Sequence, residues 1–462
     1  MEPTSSVPSL RRKLLFAAIL ASVSLAVTLV VGEIIVRTVA PVTFNNHLRI
    51  YDPHLGWRAR PGMLLYRSLD RPVRFAANRL GFRDREHNSI QTVSRRSGAR
   101  KIRKIMIFGD SFTEAAQVEI YETFWSILKH RLNSREDDVY WEVQVFAVGD
   151  WGTTQQWLAY RKYGRLADLA ILQVFPLNDI VNNSISAANI ASSQDAFRPY
   201  LDPETGYDKI TYLNPKTSWL RQRSSLARFL IQLAITKRGA WGREESYRNA
   251  KERIADSNRK AQALGLAAEF EYPAILYNTF SFKDEQFGPI DEGWQATDRA
   301  ILRFANAAKK RKDKAMVVVV PHIGQLQPVA KSLEELPFSV HTDYAEKRIT
   351  SLLADRDVSV VGMLDLFEAN FQTVSPYLKG HFNRATHQLV AEALEPEVRK
   401  LFVEEGEGGE ATGEDFVGPP APVHLADDGC PPPGAEDGDD TPRRCPAPDA
   451  GSTAQGQDDP EA

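Results

Sequence analysis

Cysteine is nearly absent: two residues in 462, Cys430 and Cys445, both close to the end of the chain. The body before them has no thiol to serve as nucleophile, metal ligand or redox switch, and two cysteines in a Gly/Pro-rich segment make no disulfide scaffold. No G-x-x-x-x-G-K-S/T or G-x-G-x-x-G follows a strand pattern, which excludes the common phosphate-cradling nucleotide sites. No internal repeat is visible. Net charge is also scarce, at -3, but it is unevenly spread. From Val403 onward, sixteen Asp and Glu face only Arg443 and Arg444, which leaves the preceding chain at +11. That tail, residues 403–462, has almost no aliphatic clusters and is expected to be disordered and solubilising.

What is present begins with one long apolar run. Residues 14–32, LLFAAILASVSLAVTLVVG, carry no charge over nineteen positions, and about 20 apolar residues at 1.5 Å each span a bilayer core. Arg11, Arg12 and Lys13 precede the run and Glu33 follows it. The positive-inside rule then predicts a cytoplasmic N-terminus (1–13), a single anchor (14–36) and an extracytoplasmic remainder, periplasmic or extracellular. The run exceeds the ~7–15 residues of a signal-peptide core, and no A-x-A site follows, so the anchor is expected to stay uncleaved. A basic body on that side of a membrane meets acidic glycans or lipid headgroups, and no nucleic-acid partner is expected.

Residues 37–100 are rich in Pro, Gly, Arg and aromatics and read as an extended strap between anchor and domain. Residues 101–402 alternate strand and helix patterns. Continuous apolar runs mark strands near 104–108, 141–148, 169–175, 315–320 and 358–364, and helical patterns fill 122–134, 154–163, 295–310, 343–354 and 385–400. Strands without in/out alternation belong in a parallel sheet covered on both faces, so the fold class is a three-layer α/β/α doubly wound sheet. An insertion of about 190–290 separates the third and fourth strands; it carries helical patterns at 218–237 and 244–262 and is expected to act as a lid or cap.

In open α/β sheets, ligands sit at the carboxyl ends of the strands. There the sequence places Gly109-Asp110-Ser111, Gly149-Asp150-Trp151-Gly152, Pro176-Leu177-Asn178-Asp179, Pro321-His322 and GHFNRATH (380–387). A serine on a tight turn into a helix offers its hydroxyl beside unpaired backbone N–H groups, which suits a nucleophile; the same tripeptide also suits a plain helix N-cap. Of nine histidines, His47, His54 and His87 fall before the sheet and His424 in the tail. His130 sits in the helix after Ser111, pointing away, and His341 precedes a helix. His387 lies within a helix as a packing residue, its spacing of six from His381 unlike a helical metal pair. His322 and His381 remain at the site's edge.

Taken together, FGDSFTEAAQV, FAVGDWGTTQQWLAY, FPLNDIVNN and GHFNRATHQLVAEAL resemble, in order, the four blocks of the SGNH (GDSL-type) hydrolase superfamily, in particular its membrane-anchored bacterial members. The strap segments LGWRARPG and NRLGFRD are similar to what precedes the core in such proteins. The resemblance covers most of residues 50–400. It implies a flavodoxin-like sheet, Ser111 as nucleophile on an ester carbonyl, His381 as its base, and an oxyanion hole from the N–H groups of Ser111 and Asp150 with the Asn178 side chain. It implies no cofactor and no metal. Asp150 stands where the family has glycine, and its carboxylate is expected to point outward. Asp110 and Asp179 read as turn and hydrogen-bonding residues.

One family feature is missing. An aspartate two or three residues before the histidine is replaced by Lys379 and Leu378. Loss of the triad acid costs about 10⁴ in rate in the well-studied serine protease, so a weak Ser111–His381 dyad is expected. Asp365, the other acid near the fifth strand, is implied to be structural. The resemblance thus implies an esterase or deacetylase acting on acyl groups of a glycan or lipid. The same residues would serve an O-acyltransferase, as in alginate O-acetyltransferases by family-level analogy, and a catalytically silent glycan-binding protein would keep the fold alone.

Overall fold

The computed structural model describes residues 10–39, 43–44, 48–68, 72–87, 101–134, 139–190, 197–212, 288–322, 341–374 and 381–403, with short pieces between 220 and 233 and at 325–326. The acidic tail with both cysteines, the helical pattern at 244–262, and Leu378 and Lys379 lie outside the described residues.

Five parallel strands form the central sheet: β1 (Lys101–Gly109), β2 (Val139–Ala147), β3 (Leu169–Val174), β4 (Lys314–Val319) and β5 (Ser359–Gly362). Their order is β5-β4-β3-β1-β2, the flavodoxin-like order. Each apolar run supplies both faces. On β1, Ile105 and Ile107 pack with Leu128, Val390 and Leu394, whereas Met106 and Phe108 pack with Leu158, Tyr160 and Phe304. The helices Phe124–Leu132 and Arg384–Val403 therefore cover one face, and Thr153–Tyr163, Gly288–Arg311 and Tyr344–Leu353 the other. This is why the strands do not alternate apolar and polar residues: neither face meets water. Register is in phase across the centre, with Ile105 opposite both Val143 and Leu169. The order reverses between β1 and β3, and the crevice that opens at such a switch point is where the second half of the chain must place its chemistry.

The strap is folded onto the domain. Residues Thr43–Phe44, Arg49–Asp52 and Gly56–Ala59 make a three-stranded antiparallel sheet, and Leu64–Ser68 pairs with Pro72–Ala76 in a hairpin. Gly81, at φ +80, closes the turn beyond the hairpin, and its carbonyl accepts the N–H of Ala59. A side chain there would put its Cβ 2.3 Å from that carbonyl's neighbour, the Ala59 oxygen.

Helix Leu10–Thr38 is long and apolar enough to cross a membrane, and its apolar side chains are exposed except for Val36 near its far end. At its far end the Glu33 carboxylate accepts the N–H groups of Ser225 and Leu226, at 2.8 and 2.9 Å. Residues 225–230 of the insertion are helical, so this carboxylate fills the role of an N-cap supplied from a distant segment.

Candidate active site

The site grows from the end of β1. Asp110 caps the short helix Ser111–Glu114, its Oδ1 accepting the N–H of Phe112 at 2.9 Å. Ser111 is the first helical residue, so its own N–H has no partner within the helix. Below it, the Gln173 side-chain oxygen on β3 accepts from the Asp110 N–H at 3.3 Å and from the Thr113 hydroxyl at 3.0 Å. This ties the nucleophile turn to the neighbouring strand.

Burial pushes the Asp110 carboxyl up to about 7, against the pull of its bonds from Phe112 and from Asn178, with the nearby Asp150 charge pushing the same way as burial. Asn178 donates from Nδ2 to Asp110 Oδ2 at 2.9 Å. Asp179, also fully buried, accepts the Phe175 N–H at 3.0 Å, and burial together with Asp110 holds its pKa well above the carboxylate range. Both aspartates therefore act as hydrogen-bonding residues of their turns.

Ser111 and His381, 270 positions apart, meet at 2.8 Å from Oγ to Nε2. The ring lies against Phe112, with centroids 5.0 Å apart. Helix Arg384–Val403 begins three residues later, and Asn383 stands before it with its side-chain oxygen on the Thr386 N–H at 2.8 Å. His387 is a packing residue: its Nδ1 accepts the Phe124 N–H at 3.1 Å, and burial holds its pKa down at about 3. His322, lowered to about 4 by burial, lies tilted against Phe175 with ring centroids 6.3 Å apart. Asp365 is exposed in the first turn of helix Leu364–Ala369.

The second turn, after β2, holds Asp150 at φ +64. That left-handed backbone suits glycine best and tolerates aspartate better than most residues. Its carbonyl is clamped by Arg198 Nη2 at 2.9 Å and Asn182 Nδ2 at 3.2 Å. Its carboxylate is 64% exposed and paired with Arg49 Nη1 at 2.8 Å, so it points outward. Trp57 donates to the Gly149 carbonyl at 3.4 Å, Trp151 donates to the Trp57 carbonyl at 3.1 Å, and Gln155 Nε2 donates to the Leu55 carbonyl. The strap is thus welded to this turn.

These strap contacts are what the sequence did not disclose. Arg83 is 1% exposed, and its guanidinium donates to the carbonyls of Glu114 and Ala115 at the end of the nucleophile helix and of Val118 in the turn beyond it. Arg49 reaches Asp150 across 101 positions. Charged residues in a Pro/Gly/Arg-rich segment read as a solvated linker, and no local spacing links them to partners so far along the chain.

Among the described residues, no group of three or more His, Cys, Asp and Glu could hold a metal ion. The arrangement places a hydroxyl on an imidazole nitrogen, beside a helix N-terminus and a side-chain amide, at the switch point of a parallel sheet. It can deprotonate a serine as it attacks a carbonyl and can meet the resulting negative charge with donors.

No family model matches the chain, and no curated protein does. Among solved structures it is similar to the acetyl xylan esterase AlAXEase, at 12% identity over 64% of this chain and 99% of that one, with a TM-score of 0.32. It is also similar to the psychrotrophic esterase EstA from Pseudoalteromonas sp. (8% identity, 65% and 98% covered, TM-score 0.30). A carbohydrate acetylesterase family member from Sinorhizobium meliloti stands at 10% identity, 65% and 98% covered, TM-score 0.27.

Proposed function

We propose that this chain is a serine ester hydrolase of the SGNH type, held at the outer face of a membrane by helix Leu10–Thr38 and acting on acyl esters of a glycan or lipid. The observation that carries the reading is the 2.8 Å contact between Ser111 Oγ and His381 Nε2 at the crevice between β1 and β3. Ser111 attacks the ester carbonyl as His381 takes its proton; the imidazolium then returns that proton to the departing alcohol, leaving an acyl-serine. Water attacks the acyl-serine, with His381 again as base. The oxyanion formed in each step is met by the N–H groups of Ser111 and Asp150 and by the Asn178 amide.

A fluorophosphonate probe tests this without knowledge of the substrate. The full chain in mild detergent is expected to be phosphonylated at Ser111, located by peptide mass spectrometry, with no labelling of Ser111→Ala and at least about 100-fold slower labelling of His381→Ala. A folded wild-type chain that does not label would leave the silent glycan-binding reading in its place. Release of acid from acetylated glycans and aryl esters, with and without added sugar alcohols, then separates hydrolysis from acyl transfer.

A further inference from the structure

Resting on the hydrolase reading, we propose that Arg49, on the strap, is a positioning residue of the oxyanion hole: it holds the Asp150 carboxylate outward and neutralises it while charge develops beside Ser111.

The geometry converges on Gly149. A Cβ added there would stand 2.5 Å from Arg49 Nη2, 3.0 Å from Glu114 Oε2 and 3.4 Å from Ser111 Cβ. The guanidinium, the buried Glu114 carboxylate and the nucleophile's own carbon therefore surround one glycine. Arg49 is bonded to Asp150 Oδ2 at 2.8 Å and lies 3.9 Å from Glu114 Oε2, with only 15% of its side chain exposed. Glu114 in turn accepts the Gly149 N–H at 3.1 Å, fixing the residue just before the proposed donor.

Asp150 poses the electrostatic problem. A glycine there would offer the same N–H with no charge and with less backbone strain at φ +64. An unpaired carboxylate so close would repel an oxyanion, and more strongly once a bound substrate excludes water. Arg49 answers both points, because its bond draws the carboxylate away from the crevice and its charge offsets Asp150 and Glu114. The pair itself adds little to folding, since its carboxylate is largely exposed to solvent. Its effect falls on chemistry.

A double-mutant cycle on the full chain tests this, using the rate of fluorophosphonate labelling at Ser111 and the melting temperature of each variant. Arg49→Gln is expected to slow labelling about 10- to 100-fold with a small change in melting temperature. Arg49→Lys should lose less, because it keeps the charge. In the Asp150→Asn background, where the side chain keeps its shape without charge, Arg49→Gln should cost less than about 3-fold. An equal loss in both backgrounds, or a loss that follows the melting temperature in every variant, overturns the proposal and leaves Arg49 as packing. Failure of the wild-type chain to label overturns the hydrolase reading, and this proposal with it; a labelled wild type with no coupling overturns this proposal alone.

Discussion

Replacing Asn178 by alanine removes the donor 2.9 Å from a fully buried carboxylate, and its effect on stability should depend on pH. Asp110 titrates at about 7 in the folded chain, against about 3.9 when unfolded. Between those values the folded state holds a proton that the unfolded state has released, so stability falls as pH rises. That contribution is present below about pH 4 and is lost as pH rises through about 7, beside an Asp179 that burial also holds protonated. Asn178 limits that loss by stabilising the charged form. Without it the folded-state pKa rises further, and the cost of a hydrogen bond to a charged group, about 1.5–3 kcal/mol, appears only where Asp110 is ionised. At roughly 2–4 °C per kcal/mol for a domain of this size, Asn178→Ala should melt about 3–12 °C below wild type at pH 8.5 but within about 2 °C at pH 5.5. Circular-dichroism melts of both chains across that range decide it. An equal deficit at both ends would mean that Asp110 does not change charge there, and the account of the buried cap would be wrong.

Gly81→Ala should lower stability by at least about 2 kcal/mol, because a left-handed turn and a backbone oxygen 2.3 Å from the new Cβ both oppose it; an unchanged melt would contradict the described turn. If the missing acid limits the dyad, Lys379→Asp should raise ester turnover about tenfold or more; a variant no faster than wild type, though folded and labelled at Ser111, would argue that His381 is already oriented. A reporter fused after Phe402 should be active only outside the cytoplasm, and cytoplasmic activity would reverse the proposed orientation.

Much of the sheet was legible because its strands are apolar on both faces: runs such as AMVVVV and LAILQVF leave few alternatives, and the observed strands β4 and β3 fall within a residue of them. Ser111 and His381 were legible as strand-end residues whose blocks fit one family, and they meet at hydrogen-bonding distance. The outward turn of Asp150 followed from the cost of a carboxylate beside an oxyanion. What held it there did not, because Arg49 lies among Pro, Gly and other arginines in a segment with no periodicity. The hairpin Leu64–Ser68 with Pro72–Ala76 was missed for a similar reason: five-residue strands, each interrupted by an arginine, give no apolar run. Fully buried charges such as Arg83 run against composition-based expectation and are identified only by the carbonyls around them.

The Arg83 guanidinium also bears on where this chain can be divided. A gene cut at residue 101, where the sheet begins, would deliver every proposed catalytic residue and none of the Arg83 donors to the carbonyls of Glu114, Ala115 and Val118. Recombination at that boundary would take away the guanidinium that these carbonyls meet and would open to water the apolar residues that Leu55, Trp57 and Phe82 pack against. Strap and sheet are therefore one folding unit, and a shuffled or truncated version that begins after residue 83 should be recovered as aggregate, however faithfully it keeps the serine and the histidine.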